Sequence, residues 1–228
     1  MINFETKTIP NFLSDDEILE LEEIWAQPSV NIITDEGPDK HAQHNSNYVF
    51  LTLLEHKERV AEIIDTKIKK YFHPDIIVGD WHLHDSLKPY PLHGDAYDEK
   101  ESATYLPDDV DYAWTFIIPL DTYNANTVIF NESSPDLKNM FDWIHERNPP
   151  KKHSITDEVY EQYLTHCDRM TCEHLSIEEI FPWNKGWLNG TDRRRIHCSD
   201  DYSNRGLTGK RGLVAWSTIP SKYTEKTS

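Results

Sequence analysis

Residues 90–96 read Tyr-Pro-Leu-His-Gly-Asp-Ala and carry the most informative pattern in the chain. Within this stretch, His93 and Asp95 lie two positions apart on either side of Gly94. Side chains at positions i and i+2 of an extended strand point to the same face of a sheet. If the stretch is extended, the imidazole and the carboxylate can therefore bind one metal ion together.

The His-x-Asp pattern occurs at two other places, and the local context argues against both. His73 and Asp75 flank a proline at the predicted end of a helix, where proline breaks the geometry. His166 and Asp168 fall in a predicted helical segment, in which positions two apart point to different sides. Of the three motifs, we therefore expect the one at His93 to bind metal.

The composition fits one domain and excludes several kinds of partner. The chain has 228 residues and a formal net charge of −17, from 23 basic and 40 acidic side chains. This length can bury a proper core, and the acidic balance argues against nucleic acid and anionic membranes, whose phosphates need clustered Lys and Arg. No apolar run approaches about eighteen residues and no secretion signal begins the chain, so we expect a cytoplasmic protein without a membrane span.

The three cysteines, Cys167, Cys172 and Cys198, are odd in number and irregularly spaced. This pattern fits free thiols in a reducing compartment better than a disulfide scaffold. A zinc site made of cysteines alone would lack a fourth ligand, and the chain has no Cys-x-x-Cys pair.

Short β-branched or aromatic runs alternate with turn residues in two parts of the chain, which predicts a β-sandwich or jelly roll. These runs are 76–78, 81–83, 113–118, 127–130, 186–188, 194–197 and 212–216.

Two other parts of the chain predict helices instead. Near the N-terminus, Ser14-Asp15-Asp16-Glu17 forms a capping box, and a second helix is predicted from about Leu53 to Phe72. Helical patterns return at 135–147 and 154–168. We therefore predict a single, mainly β domain with flanking helices. It comprises N-terminal helical support (1–75), a jelly-roll core (76–132 and 183–220) and a helical insertion (133–182).

A metal site of this kind needs a third ligand from a distant strand, and His197 is the best candidate. Non-haem Fe(II) oxygenases use two histidines and one carboxylate on one face and leave the other positions open. His197 follows a strand-like run and precedes a loop rich in glycine. Further along, Arg211 opens the strand-like run 212–216, where a guanidinium can bind a carboxylate through two hydrogen bonds.

Together these features resemble the 2-oxoglutarate- and Fe(II)-dependent oxygenases, most closely their prolyl 4-hydroxylase-like branch. The resemblance covers the chain from about residue 76 to residue 219, apart from the insertion. It is carried by the segment 90–96, a strand ending in Pro119-Leu120, the run 126–130, His197 and Arg211.

The resemblance implies a double-stranded β-helix, a cupin-like jelly roll with the metal at its open end. His93, Asp95 and His197 would hold Fe(II), and 2-oxoglutarate and O2 would bind beside them. The reaction would hydroxylate a peptide, a prolyl residue included, or a small molecule, with release of succinate and CO2. Ascorbate is a candidate reductant. The implied cosubstrate-binding residues are Arg211 at the far carboxylate, Lys210 as the next candidate, Thr127 and Tyr90.

Two positions depart from the branch and leave the substrate open. The basic residue usually lies closer to the distal histidine, where this chain has Leu207, so Arg205, Lys210 and Arg211 all remain candidates. We prefer Arg211 because it opens the strand. A tyrosine usually precedes the first ligand at the position that His84 occupies.

Alternatives remain at this stage. His82 and His84 form a His-x-His pair, but no glutamate follows at a spacing useful for a cupin metal site, so we interpret them as one alternating face of a strand. A cupin-like metal-binding protein or isomerase that does not use 2-oxoglutarate is a second hypothesis. An inactive jelly roll that serves as an interaction module is a third hypothesis. The acidic stretch 98–111 is consistent with either a solvated loop or a mobile lid over the site. The basic run 193–195 predicts local ion pairs or neutralisation of an anionic cosubstrate.

Overall fold

The computed structural model describes residues 2, 4–28, 30–34, 46–96, 109–133, 140–151 and 154–224. Most of the predicted lid, residues 98–108, lies outside the described residues. The helices are α1 (Asp15–Trp25), α2 (Leu54–Tyr71), α3 (Met140–Arg147), α4 (Asp157–Tyr163) and α5 (Arg169–Cys172). The strands are β1 (Lys7–Ile9), β2 (Val30–Thr34), β3 (Ser46–Leu51), β4 (Ile77–Val78), β5 (His82–Ser86), β6 (Val110–Pro119), β7 (Asn126–Ser133), β8 (Ile177–Pro182), β9 (Leu188–Asp192), β10 (Arg195–Ser199) and β11 (Lys210–Pro220).

The strands form two antiparallel sheets. The large sheet has the order β1-β9-β6-β11-β5-β3-β2, with β4 paired to β11, and the small sheet has the order β10-β7-β8. Most neighbours in these sheets are distant in sequence, as in a jelly roll, and residues of both sheets line one cavity. The predicted mainly β fold with flanking helices is confirmed.

Helices α1 and α2 pack on the large sheet because each has one apolar face. The predicted capping box starts α1: Ser14 accepts a hydrogen bond from the Glu17 amide, and the Glu17 carboxylate accepts one from the Ser14 amide. Ile18 and Ile64 belong to the same buried cluster as Phe116 of β6. Burial of each such side chain contributes roughly 1.5–3 kcal/mol, so this cluster makes the large sheet a rigid support for the cavity.

The predicted N-terminal helical support, residues 1–75, also contributes three strands among its described residues. Strand β1 pairs with β9, and β3 lies between β2 and β5 in the large sheet. The run Ser46–Leu51 carries a period-two signal that the prediction missed. Its alternation places Tyr48 and Phe50 on the cavity while Val49 and Leu51 join the apolar cluster under α2.

The predicted helical insertion also needs correction at its C-terminal end. Three helices lie in it, but Ile177–Pro182 forms β8 and pairs with β7 as an edge of the small sheet. Its two glutamates and terminal proline give a weak strand signal, and an edge position tolerates both. The insertion is therefore anchored by a strand as well as by helix packing.

None of the helices in the described parts of the chain combines the length and the apolar character that a bilayer span requires.

Candidate metal and anion site

A cavity of about 470 Å³ opens between the two sheets. Strands β3, β5, β6 and β11 supply one wall, and β7 and β10 supply the other. All three predicted metal ligands line this cavity, and so do Lys210, Thr127 and Tyr90.

Backbone hydrogen bonds bring the three predicted metal ligands together from distant parts of the sequence. The His93 amide donates to the His197 carbonyl at 2.9 Å, and the His197 amide returns a hydrogen bond to the His93 carbonyl at 2.8 Å. The Asp95 amide donates to the Arg193 carbonyl at 2.8 Å. This pairing fixes the segment after β5 against β10, so that the three side chains share one end of the cavity.

Both histidines are oriented by the carbonyl oxygen two residues before them. Nδ1 of His93 lies 2.8 Å from the Pro91 oxygen, and Nδ1 of His197 lies 3.0 Å from the Arg195 oxygen. A carbonyl can only accept, so Nδ1 carries the proton in each ring and Nε2 is the nitrogen that would bind a metal. Contacts of this kind normally orient histidines that bind metals.

Asp95 supplies the carboxylate between the two rings. Thr115 donates its hydroxyl to Oδ2 at 2.6 Å, and Nε2 of His197 lies 3.5 Å from the same oxygen. Burial acts to raise the pKa of Asp95, but His197, His93 and Thr115 outweigh it and lower the pKa, so the group is ionised at neutral pH. One ligand atom from each of the three residues lies within 4.8 Å of the other two.

Lys210 lies in the same cavity and is buried without a carboxylate partner among the described residues. Its Nζ donates to the Asn126 carbonyl at 3.3 Å and lies 3.8 Å from the centre of the Trp183 ring. Burial lowers the pKa of Lys210 to about 7, although Asp200 acts in the opposite direction. The Asp200 carboxylate itself pairs with Arg205. A buried ammonium with these neighbours favours an anionic ligand.

Solved structures match the fold of the whole chain, although no protein-family profile and no curated protein matches it in sequence. The non-haem α-ketoglutarate-dependent epimerase SnoN from nogalamycin biosynthesis aligns with a TM-score of 0.54 at 13% identity, over 95% of this chain and 78% of that one. An oxidoreductase of the 2OG-Fe(II) oxygenase family from Burkholderia pseudomallei aligns at 0.52 and 13% identity, over 93% and 84%. HygX from Streptomyces hygroscopicus, with nickel and 2-oxoglutarate bound, aligns at 0.52 and 12% identity, over 95% and 83%.

The chain has the fold of the 2-oxoglutarate- and Fe(II)-dependent oxygenases. Identities this low show the fold alone, so the chemistry must be argued from the site. Within this oxygenase fold, His93, Asp95 and His197 form the two-histidine, one-carboxylate set that suits non-haem Fe(II).

The structure corrects the preference for Arg211 as the residue that faces the cosubstrate. Its guanidinium forms a two-pronged ion pair with Asp85, with 2.5 Å from Nε to Oδ1 and 3.1 Å from Nη2 to Oδ2. The side chain is 52% exposed and does not line the cavity. Side chains alternate along β11, so Lys210 and Val214 face the cavity while Arg211 faces away.

The third basic candidate, Arg205, also lies outside the cavity lining. It pairs with Asp200 and donates to the carbonyl oxygen of Asn124 at 3.0 Å. Lys210 is therefore the one of the three candidates that the structure brings into the cavity.

Trp183 contacts both Lys210 and Thr127, and it was not among the residues predicted to form the site. Its Nε1 donates to the Thr127 hydroxyl at 2.8 Å, while its ring lies under the Lys210 ammonium. A Cβ at Gly212 would lie 3.1 Å from this ring, so glycine there lets the indole pack closely against β11. Thr127 thus lines the cavity with its hydroxyl held by the indole.

Aromatic residues complete the wall next to the metal ligands. Tyr90 contacts His93 edge-on at 4.4 Å between ring centroids, and its hydroxyl lies 3.3 Å from that of Tyr48. Tyr48 stacks on His84 at 4.8 Å. Burial lowers the pKa of His82 to about 4 and that of His84 to about 3, so both rings are neutral at pH 7. Neither belongs to a metal-ligand cluster among the described residues, so the His-x-His pair serves as cavity lining.

The basic run 193–195 does not line the cavity. It forms local contacts instead, in agreement with the predicted local ion pairs. Arg194 pairs with Asp192 and Arg195 pairs with Glu178. Arg193 donates to the backbone oxygen of Asp95 at 3.0 Å and so supports the segment that carries the metal ligands.

Proposed function

We propose that the protein is an Fe(II)- and 2-oxoglutarate-dependent dioxygenase that hydroxylates a peptide or small-molecule substrate, with release of succinate and CO2. The observation that carries this proposal is Lys210, a buried cation in the same cavity as a two-histidine, one-carboxylate cluster. 2-Oxoglutarate has a metal-chelating end and a distal carboxylate, and this cavity offers a partner to each.

The residues present fit the proposed metal. Two imidazole nitrogens and one ionised carboxylate are the donors that non-haem Fe(II) takes, and three protein ligands leave positions for the cosubstrate and O2. His93, Asp95 and His197 would hold the iron. When bound, the iron supplies the oxidation chemistry, while the protein positions the reactants and controls access of water.

The other cavity residues act on the cosubstrate. Lys210 would bind the distal carboxylate by a charge-assisted hydrogen bond, which is strengthened because both groups are withdrawn from water. Trp183 holds the ammonium from one side, and it also orients the Thr127 hydroxyl. A buried ion pair formed in this way would relieve the unfavourable burial of an unpaired ammonium.

The aromatic wall leaves room for the substrate next to the metal ligands. Tyr48, Phe50 and Trp216 line this part of the cavity, and Trp216 Nε1 is buried without a hydrogen-bond partner among the described residues. We propose a peptide or a small molecule as the substrate, in the cytoplasm, where the free thiols of the chain are stable. SnoN, which has a similar fold, is named an epimerase, so product analysis is needed to establish hydroxylation.

The cupin-like alternative, which does not use 2-oxoglutarate, gives Lys210 no role. A buried ammonium without a carboxylate partner costs free energy, and a metal-only site would not need it. Lys210 therefore favours the dioxygenase.

The decisive experiment combines cosubstrate binding with turnover. Fe(II) and 2-oxoglutarate are added anaerobically, and we expect a weak visible charge-transfer band in the native protein and in His73→Ala, which alters another His-x-Asp motif. The band should be lost in His93→Ala. A screen of peptides and small metabolites should then identify a substrate that stimulates succinate release and gains one oxygen atom by mass spectrometry. Absence of the band in the native protein at saturating ligand would refute the proposal.

A further inference from the structure

All three cysteines of the chain meet at one place beside the cavity. Cys167 precedes α5, Cys172 ends it, and Cys198 lies on β10 directly after His197. All three are buried free thiols in one apolar cluster, and the Sγ atoms of Cys167 and Cys198 lie within 4.8 Å of each other. The fold therefore joins three thiols that the sequence spacing did not associate.

An imidazole completes the group. Nε2 of His166 lies 3.4 Å from Sγ of Cys167 and 3.3 Å from the backbone oxygen of Tyr90. One ligand atom from each of His166, Cys167 and Cys198 lies within 4.8 Å of the other two. On the other side of the ring, Nδ1 of His166 is buried without a hydrogen-bond partner among the described residues.

The separation between His166 and Cys167 matches the edge of a tetrahedral zinc site. Bond lengths of about 2.3 Å to sulfur and about 2.05 Å to nitrogen place the two ligand atoms roughly 3.6 Å apart. The 3.4 Å between His166 and Cys167 is close to this value. We propose that His166, Cys167 and Cys198 bind a thiophilic divalent cation, with Zn²⁺ as the best fit.

Apolar packing alone does not explain the cluster. The three thiols do belong to a buried apolar group that includes Leu92 and Val128, and buried cysteines often pack as small apolar side chains. The imidazole of His166 is directed at one of these thiols, and thiolate with imidazole is a donor set that selects zinc over harder cations. Metal binding through Nε2 would replace its hydrogen bond to the Tyr90 oxygen and would leave the ring proton on Nδ1.

The site would join two parts of the chain that surround the proposed iron. Cys167 and Cys172 belong to the helical insertion, while Cys198 is the neighbour of the metal ligand His197. A bound cation would tie the insertion to β10 and would hold that strand in place. The proposal does not depend on the dioxygenase activity, because the two clusters share no ligand.

Co²⁺ distinguishes the two clusters, because cobalt bound to thiolates has an intense charge-transfer absorption that histidine and carboxylate ligands do not produce. The full chain, freed of metal under reducing conditions, is titrated with Co²⁺. We expect the thiolate band to saturate near one equivalent in the wild type and in Asp95→Ala, which removes the other cluster. The band should vanish in Cys167→Ser. In His166→Ala, which alters a less buried position, the affinity should fall at least ~10-fold.

A matched control tests whether the thiolate band comes from the cluster of His166, Cys167 and Cys198. His145→Ala removes an imidazole from the same insertion that contacts His174 rather than the thiols, and it should retain the full band. The proposal is overturned if the wild type shows no thiolate band. It is also overturned if Cys167→Ser keeps the band while remaining folded by circular dichroism, or if thiol titration of the unfolded wild type shows a disulfide instead of three thiols.

Discussion

The two ends of the cavity have opposite charge and are built in opposite ways. At one end, the Asp95 carboxylate accepts a hydrogen bond from Thr115 and lies close to His197. At the other end, the Lys210 ammonium has an aromatic ring and a backbone carbonyl as neighbours, and it has no carboxylate partner in the described part of the chain.

This difference teaches which part of the site is complete without a ligand. The carboxylate end is organised by the protein itself, because two backbone carbonyls and the Thr115 hydroxyl hold the proposed ligands in place before a metal arrives. The lysine end is incomplete, since a buried cation without an anion is unfavourable until a ligand supplies one. Together the two ends of the cavity suit a ligand that chelates a metal and carries a second negative charge away from the chelating group.

The largest expected effect is the loss of metal at the carboxylate end. Asp95→Ala removes the only anionic ligand of the proposed cluster and leaves the two imidazoles. Changes to groups that merely orient metal ligands cost about 10–100-fold in affinity, so loss of this ligand should cost more than ~100-fold. Mn²⁺ binding measured by electron paramagnetic resonance checks this, with Lys210→Met as the control that keeps the metal. Unchanged Mn²⁺ affinity in Asp95→Ala would show that the metal binds elsewhere.

The next effect concerns the lysine end. Lys210→Met keeps much of the side-chain volume and removes the charge, so 2-oxoglutarate should lose its distal ion pair while the metal still binds. Removing one partner of a buried charge pair costs about 2–5 kcal/mol, which corresponds to a loss of affinity of roughly 30-fold or more. Calorimetry with Mn²⁺-loaded protein measures this directly. An affinity within a factor of about three of the wild type would exclude Lys210 as the anion partner.

The fold could be predicted from sequence because it rests on short-range periodicity, and the proposed metal ligands were chosen on the same basis. His93 and Asp95 were paired because their spacing of two would share a face of a strand, and His197 was chosen because it follows a strand-like run. In the structure the segment forms an isolated bridge at His93 rather than a strand, and backbone pairing with residues 193 and 197 brings the side chains together. The strand β3 carried the same kind of signal in its alternating aromatics, but neighbouring helical patterns concealed it. Tyr48 and Phe50 were therefore missed as cavity residues.

The choice between Lys210 and Arg211 could not be made from sequence in the same way. Adjacent residues on a strand point to opposite faces, so the answer depends on the register of β11 in the sheet. Val214 and Trp216 lie on the same face as Lys210, yet they are as apolar as Leu213 on the other face, so hydrophobicity did not distinguish the two faces. The cysteine cluster was invisible for a related reason, because only the fold brings Cys198 to the insertion.

A smaller effect follows from the pKa of Lys210, which is lowered to about 7 in the ligand-free protein. A bound carboxylate favours the protonated form, so binding takes up a proton once the pH exceeds this value. The affinity for 2-oxoglutarate should then fall roughly fivefold from about pH 7 to about pH 8. In Lys210→Arg the guanidinium stays protonated, so any binding that remains should be nearly independent of pH in this range. Equal slopes in the two proteins would contradict the assignment.

The same lowered pKa makes a prediction for stability. An unfolded lysine titrates near about 10.4, so between about pH 7 and about pH 10 the unfolded chain binds more protons than the native protein. The free energy of unfolding should therefore rise with pH across this window in the ligand-free protein. Urea unfolding at several pH values measures the slope, which should be reduced in Lys210→Met. If the unfolding free energy rises with pH as steeply in Lys210→Met as in the wild type, groups other than Lys210 cause the rise.

The smallest effect should come from Arg211, the neighbour of Lys210 on β11. Arg211→Ala removes an ion pair with Asp85 that is partly exposed, and exposed pairs contribute about 0.5 kcal/mol. We expect a decrease of that size in the free energy of unfolding and no change in 2-oxoglutarate affinity. Urea unfolding and calorimetry on the same variant check both expectations. If Arg211→Ala weakened 2-oxoglutarate binding as strongly as Lys210→Met, the register of β11 would have to differ by one residue, and the cation facing the metal cluster would be the arginine.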